Sequence, residues 1–350
     1  MPDSKDTAER DKASQKAEKA ERAEKDFGRS AAEVIHIRLD QISALSQGLL
    51  DPSDTRPAAE MFLATRRMRV AMEVYKPAFP KAQYRNGREE TLLLARAVAD
   101  RYHLDVAIST ITAVAEEMSD EDASGVAGLL RELEKRRVDA NRELGRVVHG
   151  RRMHAYRVRM EDLAIAAAGP DFQVPDKHRP MRKAPASALA VVQRRLDRLR
   201  SFTPDALEPE GAMEQRGMGI AAEKLRYSLE LTGEALGTQA HTARRAARGL
   251  QVALSEMAHC ETILPLVRER IEMLEKEDAD VIVERARGAR DLDPVLVQAA
   301  PNRNAYRGLE LLAVHLQARR AMLFGGFRRL WKEQSRQGVW VALDNSLKKK

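Results

Sequence analysis

Through residues 31–168 apolar side chains recur at intervals of three and four, with charged groups filling the positions between them. That spacing gathers the apolar groups on one helical face and predicts amphipathic α-helices rather than strands. Punctuation interrupts the pattern at Asp51-Pro52-Ser53, across residues 76–87 and across residues 119–128. The periodicity resumes at Ser187, with further breaks near Thr203-Pro204, residues 209–211 and residues 233–237. Between the two periodic regions, residues 169–186 hold four prolines and a run of basic side chains, a Pro-rich basic linker that suits neither helix nor strand. Residues 1–30 alternate Lys, Arg, Glu and Asp with alanine. They carry too little apolar surface to offset their ordering entropy, so a disordered charged tail, dispensable for folding, is expected there. The expectation is an all-α protein: a first helical bundle over 31–168, the linker, a second bundle over 187–340, and a C-terminal tail over 341–350.

Two stretches of the periodic regions repeat each other at a constant offset of 157 residues. Leu63 aligns with Ile220, Ala64 with Ala221, Arg67 with Lys224, Arg69 with Arg226 and Glu73 with Glu230. Residues 134–144 resemble residues 317–327 at a larger offset, which implies about 26 extra residues in the second copy, near 271–304. Each copy of the first stretch is a helix with aliphatic groups on one side and cations on another. Two similar helical bundles would aim both cationic clusters at one shared groove, an arrangement suited to a long polyanion.

Composition supports this picture and narrows the chemistry. Charged residues make up 32% and aromatics 4% of the 350 residues, and Ala, Leu, Arg and Glu favour helix throughout. The net charge of +7 is modest, so local clusters decide whether an anion is bound. A single cysteine, Cys260, excludes an internal disulfide and a cysteine-based zinc site. No apolar run is long enough to span a bilayer, and the first residues lack the apolar core of a secretory signal, so the cytoplasm is the expected compartment.

The pattern Ala64-Thr65-Arg66-Arg67-Met68-Arg69-x-Ala71-x-Glu73, followed by Lys76-Pro77, resembles the first signature helix of the CHAD family (conserved histidine α-helical domain). Ile220-Ala221-Ala222-Glu223-Lys224-Leu225-Arg226-Tyr227-Ser228-Leu229-Glu230 resembles the second. Leu104-Asp105-Val106 and residues 250–256 and 318–323 stand where the family carries similar segments, so the resemblance covers most of residues 33–335. It implies two antiparallel bundles about a pseudo-twofold axis, with a basic cavity or channel between them that binds inorganic polyphosphate. It also implies association, in some members, with polyphosphate or polyhydroxyalkanoate granules, and fusion, in others, to a triphosphate-hydrolysing domain. That domain's Glu-x-Glu-x-Lys motif is not met by Glu132-Leu133-Glu134-Lys135, so no enzyme, no catalytic residue and no cofactor are expected. The chain departs from the signatures at several positions. The namesake histidine and first arginine fall on Ala59 and Phe62 in the first, and on Arg216 and Gly219 in the second, whose first lysine position holds Glu223.

The remaining cations define the candidate polyphosphate site. Arg66 and Arg69 lie three apart on one helical face, with Arg67 flanking and Lys76 two turns on. Lys224 and Arg226 form a thinner second cluster, with Arg136, Arg137, Arg319 and Arg320 beyond. Guanidinium forks grip phosphate oxygens bidentately, which makes such clusters chemically apt. Glu223 is expected to repel phosphate and to occupy Arg226. The alternative for the same residues is a solvated surface laced by intrahelical salt bridges to Glu73 and Glu230. His103 and His259 hold nearly equivalent places and read as polar contacts between helices. His149 and His154, five apart, do not share a helical face, and no metal site is expected. Cys260 reads as a small core side chain, Gly325-Gly326 as a close helix contact or kink, and Trp331 and Trp340 as too isolated to stack bases. Nucleic acid is therefore the weaker polyanion. The competing function is a scaffold or granule-surface adaptor that keeps the fold and has lost the ligand.

Overall fold

The apolar spacing produces ten α-helices and no strand among the described residues, 3–174 and 184–349 of a computed structural model. The first five are α1 (Asp3–Leu45), α2 (Arg56–Val74), α3 (Lys81–Ala115), α4 (Asp120–Val147) and α5 (Gly150–Ala168). The others are α6 (Ala186–Arg200), α7 (Ala212–Leu236), α8 (Thr238–Arg285), α9 (Ala305–Arg336) and α10 (Val339–Lys348). Ends follow local chemistry. Ser119 caps α4 by accepting from the Asp122 backbone N–H, with Asp120, Glu121 and Asp122 in the positive first turn. Gly169, at φ 94°, closes α5. The core of the expected linker, residues 175–183, lies outside the described residues.

Three apolar cores organise the helices. The first joins α1, α2, α5 and the first half of α3 through residues such as Ile35, Met68, Met72 and Leu163. The second joins α6, α7, α10 and the facing parts of α8 and α9 through Leu196, Leu225, Leu250, Phe327 and Leu343. The third is shared: the far ends of α3 and α4 pack on those of α8 and α9 through Ile111, Leu133, Ile263 and Leu312. The two helix sets therefore do not close separately. Gly125 on α4 lies against the Ala305 backbone and Gly308 on α9 against the Asp122 backbone, so a Cβ at either would drive α4 and α9 apart. The glycine pair expected to make such a contact, Gly325-Gly326, instead sits in open surroundings inside an unbroken α9.

Helix also extends beyond the expected boundaries at both ends. The described part of the charged tail is helical, because it continues α1 without a break. Residues 21–26 are exposed, and packing starts at Phe27, whose ring lies 5.1 Å from that of Tyr75. Ser30 and Tyr75 share a 2.9 Å buried hydrogen bond. A segment dispensable for folding has to end before Phe27 rather than at residue 30. Deleting residues 1–26 is expected to leave the melting temperature within about 2 °C of the parent, whereas Phe27→Ala costs about 2–3 kcal/mol. Thermal melts followed by circular dichroism check both. At the other end, Val339, Trp340, Leu343 and Leu347 form a buried stripe that docks α10, so residues 341–348 are packed helix rather than tail. Trp340 stacks on Trp331 at 6.0 Å. In the region of the expected insert, α8 continues to Arg285, and an irregular segment with one 3-10 turn (Pro294–Ala299) leads to α9.

Candidate anion-binding site

The two signature helices, α2 and α7, pack against each other at the centre of the molecule. Their carboxylates pair between helices, not within them. Glu230 of α7 accepts from Arg38 of α1 at 2.7 Å and lies 3.6 Å from Arg67 of α2. Glu73 of α2 accepts from Arg195 of α6 at 2.7 Å and lies 3.9 Å from Lys224 of α7. Arg66 is ion-paired with the buried Glu223, and its guanidinium lies 4.2 Å from the centre of the Phe62 ring. Glu223 therefore occupies Arg66 and not Arg226, whose guanidinium stacks on Tyr227 at 4.4 Å.

The outer clusters are paired as well. Arg136 meets Glu132 and Glu269, and Arg137 lies 3.8 Å from Asp105. Arg319 pairs with Glu256, and Arg320 donates to Glu261 at 2.7 Å and to Gln215 at 2.9 Å. The structure does not bring these four into the α2–α7 cluster. Of the expected cations, Arg69, Lys76 and Arg226 have no ion pair among the described residues. Burial lowers the pKa of Arg69 from its usual value, with Arg66 and Arg88 acting in the same direction and Glu73 opposing.

Lys76 lines the feature that sequence reasoning missed. A cleft of about 530 Å³ opens between the α2–α3 corner and α6, lined by Lys76, Tyr84, Arg85, Arg88, Arg194 and Arg195 together with Glu73 and Val191. Lys76 lies 5.7 Å from the centre of the Tyr84 ring. Lys76, Arg85, Arg88 and Arg194 are exposed and have no carboxylate partner among the described residues. Residues 76–87 read as a break in the sequence, yet α3 begins at Lys81, and this puts Arg85 and Arg88 three apart on one helical face. That spacing was the available signal. Arg195 is buried and donates to Glu73, to the Lys224 carbonyl and to Ser228.

A second, smaller cavity of about 150 Å³ lies between α2, α3, α7 and α8, where the departures from the signatures converge on Phe62, Arg216, Gly219 and Glu223. Phe62 stacks on Tyr102 at 4.2 Å, and His103 and His259 line the same space. Burial lowers both histidine pKa values; at His103, nearby His259, Arg66 and Arg216 add to the effect while Asp100 opposes it. Glu256 opposes it at His259. Folding thus favours the neutral form of both rings relative to the unfolded chain, which titrates near 6.5. As pH falls through that value toward the lower folded pKa, the unfolded state binds more protons and stability is lost. Thermal melts are expected to show a lower midpoint at pH 5.5 than at pH 7.5, and a smaller drop in His103→Gln/His259→Gln. Among the described residues no group of three or more His, Cys, Asp or Glu is placed to hold a metal, and no helix is long and apolar enough to cross a membrane.

A family model for the CHAD domain matches residues 33–268. The chain belongs to the CHAD domain family. The match runs from the packed part of α1 into α8 and so includes both signature helices and both walls of the cleft. Two solved structures share the CHAD-type helical fold. The crystal structure of the CHAD domain from the plant Ricinus communis aligns over 83% of this chain and 92% of its own, with a TM-score of 0.52 and 18% identity. PptA from Streptomyces chartreusis aligns over 87% of this chain and 99% of its own, with a TM-score of 0.57 and 13% identity. No curated protein matches the sequence.

Proposed function

We propose that this CHAD-family chain is a non-catalytic polyanion-binding protein whose ligand, inorganic polyphosphate, lies in the cleft between the α2–α3 corner and α6. One observation carries the reading: Lys76, Arg85, Arg88 and Arg194 stand on the walls of one cleft without carboxylate partners among the described residues, whereas Arg66, Arg67, Arg136, Arg137, Arg319 and Arg320 outside it are each paired with a carboxylate. Unpaired guanidinium groups bind phosphate without first breaking a salt bridge, and each contact releases counterions from the polymer. Arg69 and Lys224 flank Glu73 and extend the positive field inward. The cytoplasm, including the surface of polyphosphate or polyhydroxyalkanoate granules, is the compartment this reading assigns.

A scaffold that has lost the ligand is the second reading. The Arg66–Glu223 pair and the Phe62–Tyr102 stack favour it, because they engage α2 in internal contacts with α7 and α3. Titration with long-chain polyphosphate, heparin and short duplex DNA at two salt concentrations separates the readings. Tight, salt-sensitive polyphosphate binding with weaker DNA binding supports the first. Folded protein that binds none of the three supports the scaffold.

A further inference from the structure

We infer that Glu73 makes the cleft select extended chains of linked phosphates over compact phosphates, an inference that rests on the cleft being the polyphosphate site. The inner and outer cations of the cleft are in different states. At the inner end Arg195 is buried and its donors are taken by Glu73, the Lys224 carbonyl and Ser228. Glu73 also faces Lys224 at 3.9 Å, and its side chain keeps 29% of its surface exposed. An anion entering deeply therefore meets a carboxylate first and has to displace it to reach either cation. At the outer end Lys76, Arg85, Arg88 and Arg194 are exposed and unpaired among the described residues.

These outer cations come from three segments and stand on two sides of the cleft. Arg85 and Arg88 follow each other along α3, Lys76 precedes them, and Arg194 stands opposite on α6. A pyrophosphate reaches only part of this set, and its dense charge gains most by moving inward, where Glu73 repels it. A long chain passes along the outer cations in succession and leaves the Glu73–Arg195 pair intact. The carboxylate thus penalises compact anions without penalising the polymer.

The test uses the full chain with Glu73→Gln, which removes the charge while leaving an oxygen to accept from Arg195. Affinities for long-chain polyphosphate and for pyrophosphate are measured at one salt concentration. Wild type is expected to bind pyrophosphate at least about 100-fold more weakly than the long chain. Glu73→Gln is expected to gain about tenfold or more for pyrophosphate and less than about threefold for the long chain. Glu73→Ala gives the same comparison if the amide disturbs folding, and Glu73→Asp, which keeps the charge, is expected to retain wild-type selectivity. Unchanged selectivity in folded Glu73→Gln, or an equal gain for both ligands, overturns the role of Glu73 alone. Wild type that binds no polyphosphate, or binding that survives Arg85→Ala/Arg88→Ala undiminished, overturns the cleft reading and this inference together.

Discussion

Arg85→Ala/Arg88→Ala/Arg194→Ala is expected to weaken polyphosphate binding by about 10²- to 10³-fold at low salt while leaving the melting temperature unchanged. Each side chain is exposed and unpaired among the described residues, so truncation breaks no ion pair there and leaves no carboxylate stranded. Each is also positioned to give a charge-assisted contact worth about 1–1.5 kcal/mol net, and three such losses approach 3–4 kcal/mol. The slope of log affinity against log salt should fall by about 2, as three phosphate contacts are lost from a single-stranded polymer. Binding isotherms at several salt concentrations check both quantities. Wild-type affinity in the triple variant would move the ligand elsewhere, and the α2–α7 interface would be the next place to look.

The second large effect concerns stability. Arg66→Met is expected to destabilise the fold by about 2 kcal/mol, because it strands the Glu223 carboxylate, whose side chain is only 7% exposed. The one other polar partner among the described residues, Gln251, donates at 3.3 Å, too weakly to replace a guanidinium. Breaking a fully buried pair costs more, but Arg66 keeps 30% of its surface in water, which tempers the loss. Arg66→Met/Glu223→Met removes both charges and should regain most of the stability. Urea unfolding of the two single variants and the double variant measures the coupling, and strictly additive losses would mean that the pair contributes nothing. The same geometry bears on Glu223→Lys, which would remove a carboxylate expected to repel phosphate. That substitution would set two cations against each other inside the α2–α7 contact, so it threatens folding before it can strengthen binding.

Arg66 and Glu223 are 157 residues apart, the same offset that separates the two signature stretches. Matching positions of the two stretches therefore touch where α2 meets α7. With Arg66 on one side, a cation at position 223 would have faced a cation, and the carboxylate converts that contact into an attraction.

The helices themselves were legible in the sequence. Periodicity of apolar residues is a local property, and so are the breakers that separate α5, ending at Ala168, from α6, starting at Ala186. The family resemblance was legible too, since it rests on linear motifs within α2 and α7. Of the cations that the sequence singled out, Lys76 lines the cleft and Arg69 lies near Glu73.

What local pattern could not supply was the partner of each charge. Arg66, Arg67, Arg137, Arg319 and Arg320 look alike in sequence to Arg85, Arg88 and Arg194. Only the packing of distant helices shows that the first group meets carboxylates while the second faces open space. The third core, which joins α3 and α4 to α8 and α9, was hidden for the same reason, because an apolar stripe states that it will be buried and not against what. Sequence by itself determined that the chain is helical, several of the breaks between its helices and the family. The tertiary structure alone decided which cations remain available to a ligand, because Coulomb attraction acts over a few ångströms in space and is blind to separation along the chain.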